Sequence, residues 1–153
     1  MKTKNIIKFT IILLLLNGIT ACDKKEKDKC EPFVLIGQGS LHGNGSEGIP
    51  EQNIVISTQE EWEILMTTIG ENEVKYFSET EIDFDEYQII AAFDKVRGQG
   101  GWSIDITCIT EYSDKIVATV LVKNNNKVVA PTVITQPYHI VKVPISMKRI
   151  DFK

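Results

Sequence analysis

Between residues 88 and 143 the chain repeats one pattern five times, a short run rich in Val, Ile and aromatic residues followed by a break. The runs occupy 88–93 (QIIAAF), 102–112, 116–123, 127–134 and 138–143. β-Branched and aromatic side chains suit a pleated, half-buried backbone. Ser113-Asp114 and Asn124-Asn125-Asn126 have hairpin-turn character, so successive runs should pair antiparallel. Residues 102–107 (WSIDIT) alternate apolar and polar, predicting a strand with a core on one side and an inward series Trp102, Ile104, Ile106, Cys108. Residues 116–122 (IVATVLV) are apolar at nearly every position and predict a central strand buried on both faces. Upstream, short strands are expected at 33–36 and 53–57, separated by a loop over 37–50 (GQGSLHGNGSEGIP) where turn residues crowd.

Residues 58–70 (TQEEWEILMTTIG) carry a different period. Trp62, Leu65, Met66 and Ile69 fall at i, i+3, i+4 and i+7, Thr58 with Glu61 makes a capping box, and Gly70 can end the helix. Glu60, Glu61 and Glu63 near its start suit the helix dipole. The expected fold class is therefore α+β, mainly β: a mostly antiparallel sheet with one amphipathic helix packed on it.

The N-terminus reads as an address. Residues 1–8 are basic, and 9–16 (FTIILLLL) form an apolar run less than half as long as the roughly 20 residues needed to span a bilayer. The following Ile19-Thr20-Ala21-Cys22 resembles the lipobox of bacterial lipoprotein precursors, with Ile19 in place of the usual Leu. That resemblance implies a signal peptide over 1–21 and a lipid-modified Cys22; a charged tether follows within 22–32 (DKKEKDK after the cysteine), and 33–153, with no internal linker, are expected to form one β-rich domain. With Cys22 lipidated, Cys30 and Cys108 remain, either as a disulfide suited to an oxidising compartment or, for Cys108, as a small core residue. The sequence does not place Cys30 near Cys108.

Composition then removes function classes. Lys+Arg number 17 against Asp+Glu 21, a net charge of -4, and three of the lysines lie before residue 9, so the remainder is more acidic still. That opposes nucleic-acid binding, which needs a basic face. The acids are also concentrated: residues 47–94 hold thirteen acids and only Lys75, whereas residues 95–153 hold nine bases and four acids. If these segments form different faces, the domain is electrostatically polar and suited to oriented docking.

Catalytic chemistry has little material. His42 and His139 are the only histidines, and Ser103 and Cys108 are candidate nucleophiles without an activating elbow. His139, within a strand, reads as a structural residue donating to backbone; the rival reading is a small hydrolase using it as base. Gly43 to Gly48 has a phosphate-loop spacing, but Ile49-Pro50 stands where Lys and Ser/Thr are required. Glu79, Glu81, Asp83 and Asp85 recur every second residue, so an extended segment would line four carboxylates on one face with Ile82 and Phe84 inward. Such a row is either a calcium site or a solvated strand edge, and the latter is the expectation, with no metal and no cofactor.

Two stretches resemble the PrcB C-terminal domain-like family. Gly100-Gly101-Trp102-Ser103-Ile104-Asp105-Ile106 is similar to its Gly-Gly-Tyr-Ser-Ile/Val-x-Ile segment. Residues 135–144 (TQPYHIVKVP) are similar to its Thr-x-Pro-Tyr-His-Ile-Val-x-Ile/Val-Pro segment, which contains Pro137, Tyr138, His139 and Pro144. Trp62 and Ile82-Asp83-Phe84 also fit, so the likeness spans 53–144. The chain differs at Trp102 for Tyr, Gln136 for Thr, and Ile145 where Lys often follows the Pro. The family is named for a lipoprotein subunit of a surface protease complex, and many members are bacterial lipoproteins of unknown role. The resemblance implies an accessory, non-catalytic protein.

Read physically, the same motifs are fold determinants: Gly98, Gly100 and Gly101 allow a tight approach before an inward Trp102, and Pro137 should begin the last strand or lie at an edge. The functional expectation is a lipid-anchored accessory or binding domain outside the cytoplasm, periplasmic or surface-exposed, that docks a protein partner such as a secreted or surface protease complex. Its membrane contact would run through the N-terminal lipid. The alternatives are the His139 hydrolase and a structural or calcium-dependent envelope lipoprotein.

Overall fold

The computed structural model describes residues 29–41, 45–124 and 132–153. The expected signal peptide, Cys22, the tether up to residue 28, and His42 lie outside the described residues. Among the described residues the fold is mainly β with two helices, in the order β1 (Val34–Leu41), β2 (Gln52–Ile56), α1 (Gln59–Ile69), α2 (Glu71–Val74), β3 (Tyr87–Phe93), β4 (Trp102–Glu111), β5 (Lys115–Asn124), β6 (Gln136–Pro144) and β7 (Arg149–Phe152).

There are two sheets where one was expected. The larger runs β1-β6-β3-β2, antiparallel throughout; the smaller runs β4-β5-β7, with β4 and β5 antiparallel and β5 and β7 parallel. Helix α1 covers one face of the larger sheet and the smaller sheet covers the other, giving three layers and two cores. Alternation along β3 and β6 separates the cores: Ile89, Ala91, Phe93, Tyr138 and Ile140 face Trp62, Leu65 and Ile69 of α1. Ile90, Ala92, Val141 and Val143 face Ile104, Ile106, Ile109, Ile116 and Ala118 of the smaller sheet. The strands buried on both faces are therefore β3 and β6. Strand β5, expected in that role, is buried only over Ile116–Ala118, while Leu121 and Val122 are 46% and 44% exposed.

Helix α1 forms as its spacing requires. Thr58 Oγ1 accepts the Glu61 N–H at 3.3 Å, the Glu61 carboxylate reaches back to the Ser57 N–H at 3.0 Å, and Gly70 at φ 89° ends the helix with its N–H on the Met66 carbonyl. The expected loop over 37–50 begins later, because β1 continues through Gly37 and Gly39 to Leu41 against β6. Gly37 makes room for a ring, since a Cβ there would lie 2.7 Å from Phe77, whereas one on Gly39 would meet Tyr138 at an ordinary 3.4 Å.

Three other expectations change. The inward series of β4 stops at Ile106, where a register shift turns Cys108 aside and brings Ile109 to the core. Residues 79–83 are not a strand. Of the strand expected over 127–134, residues 127–131 lie outside the described residues, and 132–134 are irregular. Pro137 stands near the start of β6, yet β6 is an interior strand and β7 follows it.

Candidate functional site

The residues singled out by sequence fall into separate places, and most are tied into the fold. His139 projects from β6 into the core between the sheets, buried, with its ring edge-on to Phe33 at 6.4 Å. Its Nδ1 accepts the Ile106 backbone N–H at 2.8 Å, at the register shift of β4. Sequence reasoning had this histidine donating to backbone; it accepts, and the amide it satisfies is one that the irregular ladder leaves over. Burial pushes the imidazole pKa down, against a smaller upward pull from the Asp105 carboxylate.

This geometry bears directly on the hydrolase reading. Neutral imidazole has one basic nitrogen, and here that lone pair is held by a backbone amide. Ser103 and Asp105 are close by, with Ser103 Oγ 3.4 Å from Asp105 Oδ2, but Asp105 is engaged by Lys123 at 2.8 Å and by the Gln38 side-chain amide. Burial alone would raise the Asp105 carboxyl; Lys123, Gln38 and the histidine outweigh it and hold the carboxyl below its ordinary value. No chain of hydrogen bonds from serine to a free imidazole nitrogen is formed among the described residues.

Cys30 and Cys108 are joined by a disulfide across 78 positions of sequence, with Cα atoms 5.1 Å apart. Together with the Glu31 N–H donated to the Ile109 carbonyl at 2.7 Å, it straps the chain arriving from the N-terminus onto β4. Tyr138 stacks with Phe93 and meets Phe77 at a tilt on the α1 side. Its phenol is pushed up to about 12 by burial and by the Glu73 carboxylate that it donates to, so it remains a proton donor. Gly101 takes φ 84° just before Trp102, which is half-buried rather than inward: the Arg97 guanidinium covers its ring at 3.8 Å. Arg97 also makes a bidentate pair with the buried Asp94, at 2.7 and 2.8 Å. Sequence reasoning missed this pair, whose signal was an acid and an arginine three apart directly after an apolar strand. Pro144 ends β6 and accepts from the Gln88 side chain.

The carboxylate row does not form. Glu79 pairs with Lys142, Asp83 caps the turn at 84–86 by accepting the Asp85 N–H, and no group of three metal-binding side chains converges among the described residues.

The surface of the described residues carries several pockets, one of them beside an edge strand and not found by sequence reasoning. Between β2 and α1 lies a groove of about 380 Å³ with Ile49, Ile56 and Leu65 at its floor and Ile54, Ile64 and Glu61 along its sides. Ile64 is 60% exposed although it belongs to an amphipathic helix. It was legible as an apolar residue off the Trp62-Leu65-Ile69 stripe, but a stripe analysis marks the core and passes over such outliers. Comparison with protein-family models, with curated proteins and with solved structures finds no match for this chain.

Proposed function

We propose that this chain is a lipid-anchored binding domain that docks a protein partner outside the cytoplasm and performs no chemistry of its own. The observation that carries the reading is a contrast: His139, Asp105 and Cys108 are each engaged by the fold, through the Ile106 amide, Lys123 with Gln38, and Cys30 respectively, whereas the apolar groove beside α1 is open. An open apolar groove is a recognition surface. The Cys30–Cys108 disulfide suits an oxidising compartment, and the likeness of the 19–22 segment to a lipobox supports attachment through Cys22. The family resemblance of 100–106 and 135–144 directs attention to a secreted or surface protease complex as the partner.

The test is capture of the partner from native membranes. The full chain, extracted in mild detergent and cross-linked at short range, should co-purify with a saturable protein partner, and the purified chain should show no turnover of peptide, ester or glycoside substrates. Reproducible turnover abolished by His139→Ala in a variant that still folds would overturn the reading.

A further inference from the structure

Two open sheets have four edge strands, and among the described residues they are β1, β2, β4 and β7. Free edges invite pairing with other chains, so proteins blunt them with bulges, charges, shortness or a covering segment. Three of the four are blunted. Strand β1 has a register shift next to Leu35, and Ser78 occupies its outer carbonyls, the backbone N–H on Ile36 at 2.8 Å and the hydroxyl on Leu35 at 2.7 Å. Strand β4 is shifted at Ile106–Cys108 and covered by the Cys30–Cys108 disulfide and the Glu31–Ile109 bridge. Strand β7 has four residues, two of them the charged Arg149 and Asp151.

Strand β2 has none of these devices. Its five residues (QNIVI) include no charge and no proline, and its register with β3 is unbroken from Gln52–Phe93 to Ile56–Ile89. Among the described residues no segment pairs with its outer side. It also borders the groove just described, so an incoming strand would find main-chain donors and acceptors and an apolar trough for alternate side chains side by side. The surroundings are acidic: Glu61 lines the groove, Glu51 precedes β2, and Glu60 lies one turn before Ile64 on α1. Among the described residues no lysine or arginine pairs with these three. By contrast, Asp105, Glu111 and Asp151 on the smaller sheet are each matched by a cation. Two copies joined edge to edge would bring these acids together, so the charge opposes self-pairing and favours a cationic guest.

We infer that β2 is a strand-addition site, and that its partner is an extended segment of another protein with apolar residues at alternate positions and a net positive charge. The inference rests on the binding-domain reading and locates the contact within it.

The test uses the full chain in detergent and two ten-residue probe peptides, one alternating Val and Lys, the other alternating Val and Glu. Hydrogen exchange read by mass spectrometry should show the Val-Lys peptide protecting 52–56 and 61–68, with affinity at least about tenfold above that of the Val-Glu peptide and falling as salt is raised. Ile64→Lys, at an exposed position and checked for an unchanged melting temperature, should reduce that affinity about tenfold or more. Equal affinity for the two peptides, protection elsewhere, or no binding of either would overturn the inference, as would a wild-type dimer that the Ile64→Lys change dissolves. A native partner captured equally well by wild type and by Ile64→Lys would overturn the β2 site while leaving the binding-domain reading standing; absence of any captured partner would instead count against that reading.

Discussion

At the scale of single residues, His139 shows how a side chain with catalytic potential becomes a structural one. Its Nδ1 meets the Ile106 amide at a break in the β4 ladder, so deleting the ring leaves a buried N–H without an acceptor. His139→Ala should destabilise the fold by about 1–3 kcal/mol, measured by chemical denaturation, without selectively removing any activity. Burial of the ring also sets a pH dependence. The folded-state pKa is depressed below the ordinary 6.5, so the folded protein binds fewer protons than the unfolded chain. The stabilisation is thus complete above the unfolded pKa and is lost as pH falls through the folded one. Asp105 is depressed as well, but from 3.8, so its contribution is lost only at lower pH. Melting temperature should fall on acidification beginning near the histidine range, and the first part of that fall should be missing in His139→Ala; an identical profile in both proteins would show that another group is responsible.

At the scale of elements, α1 is held by local chemistry as well as by burial of Trp62, Leu65 and Ile69. The Thr58 cap satisfies an amide that the helix cannot, so Thr58→Ala should cost about 1 kcal/mol in unfolding free energy, with the far-ultraviolet spectrum unchanged under native conditions. Packing decides the strands differently. Strand β1 contains Gly37 and Gly39, poor strand formers, yet it pairs along β6, and at Gly37 a Cβ would collide with the Phe77 ring while Gly39 lies in ordinary contact with Tyr138. Here tertiary contact overrides local preference, which is why a turn-rich stretch became half strand. The helix was legible because its period is written within thirteen residues; the far end of β1 was not, because its partners, the Phe77 ring and strand β6, lie about forty and a hundred positions away.

At the scale of the whole molecule, the disulfide joins the N-terminal approach of the chain to the smaller sheet. Closing 78 positions restricts the unfolded ensemble strongly, so Cys30→Ser or reduction should lower stability by about 2–5 kcal/mol, with the wild-type bridge identified by peptide mapping without reductant. The proposed anchor belongs to this scale too. Cys22→Ala should abolish acyl labelling and release the protein from membranes, since residues 23–29 (DKKEKDK) have no apolar stretch to retain it. Labelling and retention unchanged in that variant would remove the lipid from the account.

What the sequence determined by itself was the class of fold and most of its strands and the main helix, because hydrophobic period and turn chemistry are local. Four of the five runs between 88 and 143 became β3, β4, β5 and β6 within a residue or two. Only the tertiary structure decided how they were shared between two sheets, since strand pairing is a choice among distant partners that no single run encodes. The same limit applied to the site. A histidine, a serine and a cysteine could be named from the chain, but that the imidazole lone pair was already taken by an amide 33 positions away could not. The groove was less legible still, for an edge strand is defined by the absence of a neighbour, and which strand goes without one is settled only when every other strand has found its place.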